Sequence, residues 1–216
     1  MSGLELKNVC YHYPKTKHMT LNGVNGVFHK GTVTSIQGQS GAGKSTLLYL
    51  LAGLEAPASG QLLWEGEPVV NLSAYRRNVA GIISQSYLLF PARTALENVC
   101  YPLTLAKKSK AEAAEEAREL LNAVGIAPEL YNRLPEKMSG GEQQRVAIAR
   151  CLAAHSQIIA ADEPTGNLDE INTRAIVDIL CRLAYEEGKT VIMVTHDSSV
   201  AERADVRYEL RGGELL

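Results

Sequence analysis

With 216 residues, 45% of them hydrophobic, the chain can bury the core of one domain and still carry an inserted lobe. No apolar run approaches the roughly 20 residues of a membrane-crossing helix, and the amino terminus, MSGLELKNV, lacks the apolar core of a signal peptide, so the expectation is a soluble, cytoplasmic protein that meets a membrane only through a partner. A net charge of −2 and a pI of about 6.2 argue against nucleic acid as the main ligand. Cys10, Cys100, Cys151 and Cys181 are scattered without a C-x-x-C pair, which predicts reduced core thiols rather than disulfides or a zinc site.

Leu4, Leu6 and, after a shift of phase, Val9 begin a strand, and a second β segment runs from about Leu21 to Phe28. Between them Tyr11-His12-Tyr13-Pro14 reads as a turn carrying aromatics. Thr32 to Ile36 is short and β-branched, as a buried strand should be. It leads into GQSGAGKST, which fits G-x-x-x-x-G-K-[ST] with Gly38, Gly43, Lys44 and Ser45 at the fixed positions. Leu47, Leu48, Leu51 and Leu54 then share one helical face, with Gly53 near the helix end.

Strand, glycine loop and helix are the setting this motif needs. Glycines let backbone N–H groups turn toward phosphate oxygens, and the helix N-terminus adds partial positive charge. The candidate phosphate site is therefore Gly38, Gln39, Ser40, Gly41, Ala42, Gly43, Lys44, Ser45 and Thr46. Lys44 can reach the β and γ phosphates, and the Ser45 hydroxyl can ligate Mg²⁺.

Gly60 to Trp64 and Val69-Val70 read as short strands around a turn at Gly66, and Val79 to Ser84 as a buried strand ending at Gln85. From about Phe90 to Ala154 the pattern is helical. Thr94 with Glu97, Ser109 with Glu112 and Ser139 with Glu142 have capping-box spacing. Ala113, Ala117, Leu120, Leu121 and Val124 form one apolar stripe, with the lysines and glutamates of 107–119 a solvated face around it. The α/β pattern then returns: strand Ile158 to Ala161, helix Glu170 to Tyr185, strand Val191 to Thr195, a short helix, and end strands Val206 to Leu210 and Glu214 to Leu216.

Two further stretches carry chemistry. The apolar strand Ile158 to Ala161 ends in Asp162-Glu163. A carboxylate at a strand's C-terminal end near a phosphate loop suits Mg²⁺ held through water, and Glu163, one residue on, is placed to take a proton from an attacking water. Ser139-Gly140-Gly141 at the start of a capped helix makes a second anion site in the same chain.

With Met138-Ser139-Gly140-Gly141-Glu142-Gln143-Gln144-Arg145 the sequence resembles the ATP-binding-cassette (ABC) ATPases, whose signature is LSGGQ-like; Met138 and Glu142 depart from it but leave the serine and glycines intact. The resemblance covers nearly the whole chain. It implies a P-loop NTPase core of RecA-like α/β type, with a small antiparallel β subdomain and an inserted α-helical subdomain at about 90–154, between core segments at about 1–89 and 155–216. Tyr13 matches the aromatic that stacks on adenine, with Tyr11 as rival. Gln85 matches the glutamine that senses Mg²⁺ and the transported load. Asp162 matches the magnesium carboxylate and Glu163 the catalytic base. Pro164 to Asp169 (PTGNLD) matches the loop that meets the other subunit, and His196 the switch histidine that contacts the γ-phosphate.

The same resemblance implies ATP and Mg²⁺ as cofactors and a head-to-tail dimer, with itself or a homologous ATPase. Each ATP would then sit between one copy's phosphate loop and the other's Ser139, Gly140, Gly141 and Glu142, with Asp169 at the seam. Tyr87 to Pro91 is the candidate groove for a separate membrane permease, which would hold the protein at the inner face of the membrane. GNLD after DEPT, with SGGEQQR, resembles the ATPases of macrolide exporters, lipoprotein-release machines and peptide-resistance transporters. A nutrient-importer ATPase, and beyond it a soluble cassette protein, are the alternatives.

Overall fold

The computed structural model describes residues 3–14, 16 and 18–216. In chain order the strands are β1 (Gly3–Tyr11), β2 (Leu21–His29), β3 (Val33–Gln37), β4 (Ser59–Trp64), β5 (Glu67–Pro68), β6 (Ala80–Ile83), β7 (Ile158–Asp162), β8 (Thr190–Val194), β9 (Val206–Arg211) and β10 (Glu214–Leu215). The helices are α1 (Lys44–Leu51), α2 (Leu72–Asn78), α3 (Ala95–Leu105), α4 (Lys110–Ala123), α5 (Gly140–Leu152), α6 (Glu170–Tyr185) and α7 (Ser198–Ala201).

The strands form two sheets. One is antiparallel, in the order β2-β1-β4-β5. The shift of phase between Leu6 and Val9 is a register break at Asn8, whose φ of 49° turns the strand so that Leu4, Leu6 and Val9 all point inward. The other sheet runs β10-β9-β3-β8-β7-β6 and is parallel except for β10.

Parallel strands covered on both faces read as continuous apolar runs, and β7 and β8 do. Ile158 and Ala160 pack with Leu47, Leu48 and Leu51 of α1 and, from the antiparallel sheet, with Leu4, Leu6 and Phe28. Ile159 and Ala161 face the other way, onto Val146 and Ala149 of α5 and Ile176 and Leu180 of α6. That second core continues without a break into α3 and α4, through Val99, Leu103, Ala117 and Leu121. The helical region is therefore anchored through α5 to one face of the parallel sheet. All three expected capping boxes form, at Thr94, Ser109 and Ser139.

Because β3, β6, β7 and β8 run in one direction, their C-terminal ends share one edge of the sheet. The phosphate loop, Gln85, Glu163 and His196 all follow directly from those ends, where open α/β sheets bind ligands.

Several local expectations are corrected. Val69-Val70 is not a strand; β5 is Glu67–Pro68, and only the Val69 N–H continues the pairing, to the Leu62 carbonyl at 2.9 Å. Helix α2 went unforeseen, although Asn71 caps it by accepting the Ala74 N–H at 3.0 Å. The Tyr75 hydroxyl fixes α2 to the end of α1 by donating to the Leu51 carbonyl at 2.8 Å. Leu54 is 47% exposed rather than on the buried face of α1. The helix stops at Leu51, and Gly53 at φ 70° turns the chain away. All four cysteines are free; Cys151 and Cys181 are core thiols, whereas Cys10 and Cys100 are only half-buried.

Candidate active site

The loop from Gly38 to Gly43 leaves β3 and turns into α1. At Gly43, the residue before the helix, φ is 98°, and a Cβ there would crowd the Thr20 carbonyl at 3.2 Å. At Gly38 a Cβ would come within 2.5 Å of the Leu210 carbonyl oxygen of β9. These two glycines let the loop lie against its neighbours and curl around a cleft of about 440 Å³. The cleft is lined by Ser40, Gly41, Gly43, Lys44, Ser45 and Thr46 from the loop and α1, by Asp162 and Glu163, and by Tyr13, Thr20 and Val194. Lys44 reaches back along the loop, and its ammonium donates to the Gly38 carbonyl at 2.8 Å and the Gln39 carbonyl at 3.0 Å. Both acceptors are neutral, so an arriving phosphate oxygen competes for Lys44 with the advantage of charge.

Asp162 ends β7 opposite this loop, and the Ser45 hydroxyl donates to its Oδ1 at 3.2 Å. Burial pushes the Asp162 carboxyl above its usual range; Ser45 and Lys44 oppose that shift, and neighbouring Glu163 adds to it. A half-buried carboxylate in this condition gains from a cation. An adjacent hydroxyl and carboxylate are hard oxygen donors of the kind Mg²⁺ takes, with water and phosphate oxygens completing its shell. The residues present thus fit a nucleoside triphosphate and its Mg²⁺.

Glu163 has the left-handed φ of 46°, a conformation that costs a non-glycine residue of order 1–3 kcal/mol and persists only where its surroundings enforce it. Its backbone N–H bonds the Val194 carbonyl at 3.0 Å, and its own carbonyl accepts from Gly166 at 3.1 Å. The side chain, 15% exposed, accepts from Nδ1 of His196 at 2.9 Å and from the His196 backbone N–H at 3.4 Å. His196 itself is 68% exposed. With Nδ1–H committed to Glu163, Nε2 is the ring nitrogen left for another partner.

The two aromatic candidates separate cleanly. Tyr11 is 4% exposed and packs in the core beneath the antiparallel sheet, where burial lifts its phenol to about 12. Tyr13 is 42% exposed at the rim of the cleft, edge-on to Tyr11, with its hydroxyl 2.8 Å from Oγ1 of Thr46. Only Tyr13 offers a ring to a ligand.

The remaining candidates lie outside the cleft's lining. Gln85 is exposed, with its amide laid against Gly166, where a Cβ would meet Nε2 at 2.8 Å. It thus touches the turn that carries Glu163. Ser139 and Glu142 satisfy each other: Ser139 Oγ accepts the Glu142 N–H at 3.3 Å, and the Glu142 carboxylate accepts the Ser139 N–H at 2.7 Å. Gly140 and Gly141 follow at the head of α5 and do not line the cleft. Asp169 caps α6, accepting from the Asn172 N–H and from its Nδ2, both at 2.8 Å. Those bonds hold its carboxyl below the usual range.

Sequence reasoning missed three residues that matter to this geometry. Thr20 walls the cleft. Asn172 ties Asp169 to Arg145 and abuts Gly141. Gln144 is buried between α5 and the turn after Glu163. Each is a polar residue whose role depends on a partner far along the chain, so no local spacing marks it.

Comparison with known proteins places this geometry in context. The family model for ABC transporters matches residues 21–166. Among solved structures, a dimeric structure of MJ0796, described as a bacterial ABC transporter cassette, is similar with a TM-score of 0.89 and 37% identity, over 98% of this chain and 96% of that one. A second dimeric MJ0796 structure, in a post-hydrolysis state bound to ADP and Pi, is similar to the same degree. The cbiO1 protein of Clostridium perfringens, part of the ABC transporter complex cbiONQ, is similar with a TM-score of 0.89 and 27% identity, over 100% of this chain and 87% of that one.

Proposed function

The chain belongs to the ABC transporter family, and from that premise we propose that it is the ATP-binding, ATP-hydrolysing subunit that energises a separate membrane permease. The observation that carries this reading is the convergence of Lys44, the Ser45–Asp162 pair and the Glu163–His196 pair on one edge of the parallel sheet. The post-hydrolysis relative, with its ADP and Pi, supports it.

Binding begins with the loop. Lys44 exchanges two neutral carbonyls for β and γ phosphate oxygens, the loop's backbone N–H groups and the α1 N-terminus add partial positive charge, and the ring of Tyr13 stacks on the base. Mg²⁺, when bound, supplies electrostatic neutralisation of the phosphate charge, with Ser45 and Asp162 the residues that would hold it. Glu163 takes the proton of the attacking water, a contribution typically worth about 10²–10⁴ in rate. His196 orients that carboxylate through Nδ1 and keeps Nε2 for a γ-phosphate oxygen. Gln85, lying against the Glu163 turn, reports the state of the site to the segment beyond it.

We further propose a head-to-tail dimer in which Ser139, Gly140 and Gly141 of each copy complete the other copy's site, while Asp169 sits at the seam. Supporting this, the first turn of α5, where backbone N–H groups and the helix dipole favour an anion, does not line the chain's own cleft. The dimeric relatives support this arrangement. Residues 90–154 would then act as the lobe that carries Ser139, on a core of 1–89 and 155–216. The permease would dock at Tyr87 to Pro91, where Leu88 is exposed and Phe90 lies edge-on to Tyr101, and so fix the subunit to the inner face of the membrane. The finer reading, extrusion of a peptide, antibiotic or lipoprotein, rests on the GNLD and SGGEQQR stretches.

Glu163→Gln tests the core of this reading. It should bind ATP, accumulate a dimer visible by size-exclusion chromatography with light scattering, and hydrolyse at least about a hundredfold more slowly. Turnover near the wild-type rate would place the base elsewhere.

A further inference from the structure

Glu163 sits in a strained conformation, and something must hold it there. The turn from Glu163 to Gly166 is closed by the Gly166 N–H donating to the Glu163 carbonyl. The next carbonyl, that of Pro164, accepts from Nε2 of Gln144 at 2.7 Å. Gln144 lies on α5, one turn past Ser139-Gly140-Gly141, and is 0% exposed. Its orientation is dictated, because a carbonyl needs a donor and so must face Nε2. That choice strands the amide oxygen: Gln144 Oε1 is buried without a partner among the described residues. A buried orphan acceptor costs stability that an apolar side chain of the same volume would not. Packing alone does not account for a glutamine at this position, whereas a requirement for the Pro164 bond does.

A second link runs in parallel. Arg150, two turns further along α5, donates to the Leu88 carbonyl at 2.7 Å and the Tyr87 carbonyl at 3.1 Å, just past Gln85. Tyr87 and Leu88 are themselves left-handed, at φ 61° and 50°. The helix that begins with Ser139 therefore holds, through buried or half-buried side chains, two strained segments of its own chain's reaction edge.

We propose that Gln144 is a positioning residue for Glu163: by pinning the Pro164 peptide plane to α5 it keeps the Glu163 turn left-handed and its carboxylate over the cleft, so that movement of the Ser139 helix is felt at the Glu163 of the same chain. The inference rests on Glu163 being the base and on the shared-site dimer proposed above. Without the bond, rotation of the Pro164–Thr165 peptide relieves the strain at Glu163 and lets the carboxylate swing. A displacement of the order of 1 Å at a catalytic group can cost about a hundredfold in rate.

Gln144→Met fills the same unbranched volume and removes the donor, exchanging the orphan Oε1 for a Pro164 carbonyl without its partner. The full-length variant, in which one buried orphan acceptor replaces another, should melt close to wild type and bind ADP with unchanged affinity, while kcat for ATP falls ten- to a hundredfold, on the scale of about 10² that misplacement costs. Gln144→Glu, whose carboxyl is kept protonated by burial and can still donate to Pro164, should retain more of kcat than Gln144→Met at equal folded protein. The decisive measurement is made on heterodimers purified through two tags. When Gln144→Met is paired with Lys44→Ala, the one live site uses the Glu163 of the Gln144→Met copy and should be slow. When both substitutions sit on one copy opposite a wild-type copy, the live site uses the wild-type Glu163 and should run near the rate of wild type paired with Lys44→Ala.

A Gln144→Met protein that hydrolyses ATP at the wild-type rate overturns the proposal. So does a defect that follows the Ser139 turn across the dimer, or an equal loss of ADP affinity. Failure of the underlying reading looks different: Ser139→Arg and Lys44→Ala copies would not complement, or Glu163→Gln would turn over normally.

Discussion

Gly140 and Gly141 are adjacent in the first turn of α5, yet their surroundings give them opposite tolerances. A Cβ at Gly140 would come within 2.8 Å of the Tyr87 hydroxyl and 3.3 Å of a Leu168 methyl, the far ends of two side chains that can turn aside. A Cβ at Gly141 would lie 2.5 Å from Cγ of Asn172 and 3.1 Å from its Cβ. Asn172 is not free to yield, because its N–H and Nδ2 both bond Asp169 and its Oδ1 accepts from Arg145 at 3.2 Å. To restore ordinary contact at 3.4 Å the carboxamide must retreat by close to 1 Å. Overpacking of this kind costs typically about 1–3 kcal/mol, and the lost Arg145 bond adds about 1 kcal/mol. Alanine's better helix propensity returns at most about 1 kcal/mol at either site. Gly140→Ala should therefore stay within about 1 kcal/mol of wild type, whereas Gly141→Ala should lose about 2–3 kcal/mol. At about 2–4 °C per kcal/mol for a chain of this size, Gly141→Ala should melt about 5–10 °C lower in a circular-dichroism scan without nucleotide. Equal melting temperatures, or the larger loss at Gly140, would refute the packing argument.

Other outcomes follow from single contacts. Tyr75→Phe leaves the buried Leu51 carbonyl without its donor and should lower unfolding free energy by about 1–2 kcal/mol in a urea titration. Lys44→Ala should weaken ATP binding more than it disturbs folding, since among the described residues its partners are two loop carbonyls; fluorescence titration with a nucleotide analogue and a melting curve separate the two. Burial lifts the Cys151 thiol to about 11, so at pH 8 it stays protonated, and as pH rises toward that value its thiolate and its alkylation should increase; mass spectrometry of native protein treated with iodoacetamide at pH 8 should find it unmodified, and fully modified in denaturant.

The order of strands and helices was legible because its signals are local. Glycines at fixed spacing, a β-branched run before them and capping pairs such as Ser139 with Glu142 each act within a few residues. The same holds for the continuous apolar runs of β7 and β8, which announce strands covered on both faces. Helix α2 was missed because its apolar positions are few, with Tyr75 alone buried, and Leu54 was misjudged because the turn at Gly53 overrides the helical stripe.

What the sequence determined by itself was the set of candidate groups: a glycine-rich loop of phosphate-binding pattern, a hydroxyl and carboxylates proposed for a cation and a water, and a second helix start proposed for an anion. Only the tertiary structure decided how those groups are held. It sent Tyr11 into the core and left Tyr13 at the rim, brought the His196 imidazole onto Glu163, and set Gln144 against Pro164. The reason is physical. Spacing along the chain encodes which backbone shape is cheap, but burial, strain and the partner of a buried amide depend on strands and helices that meet only when both faces of the sheet are covered.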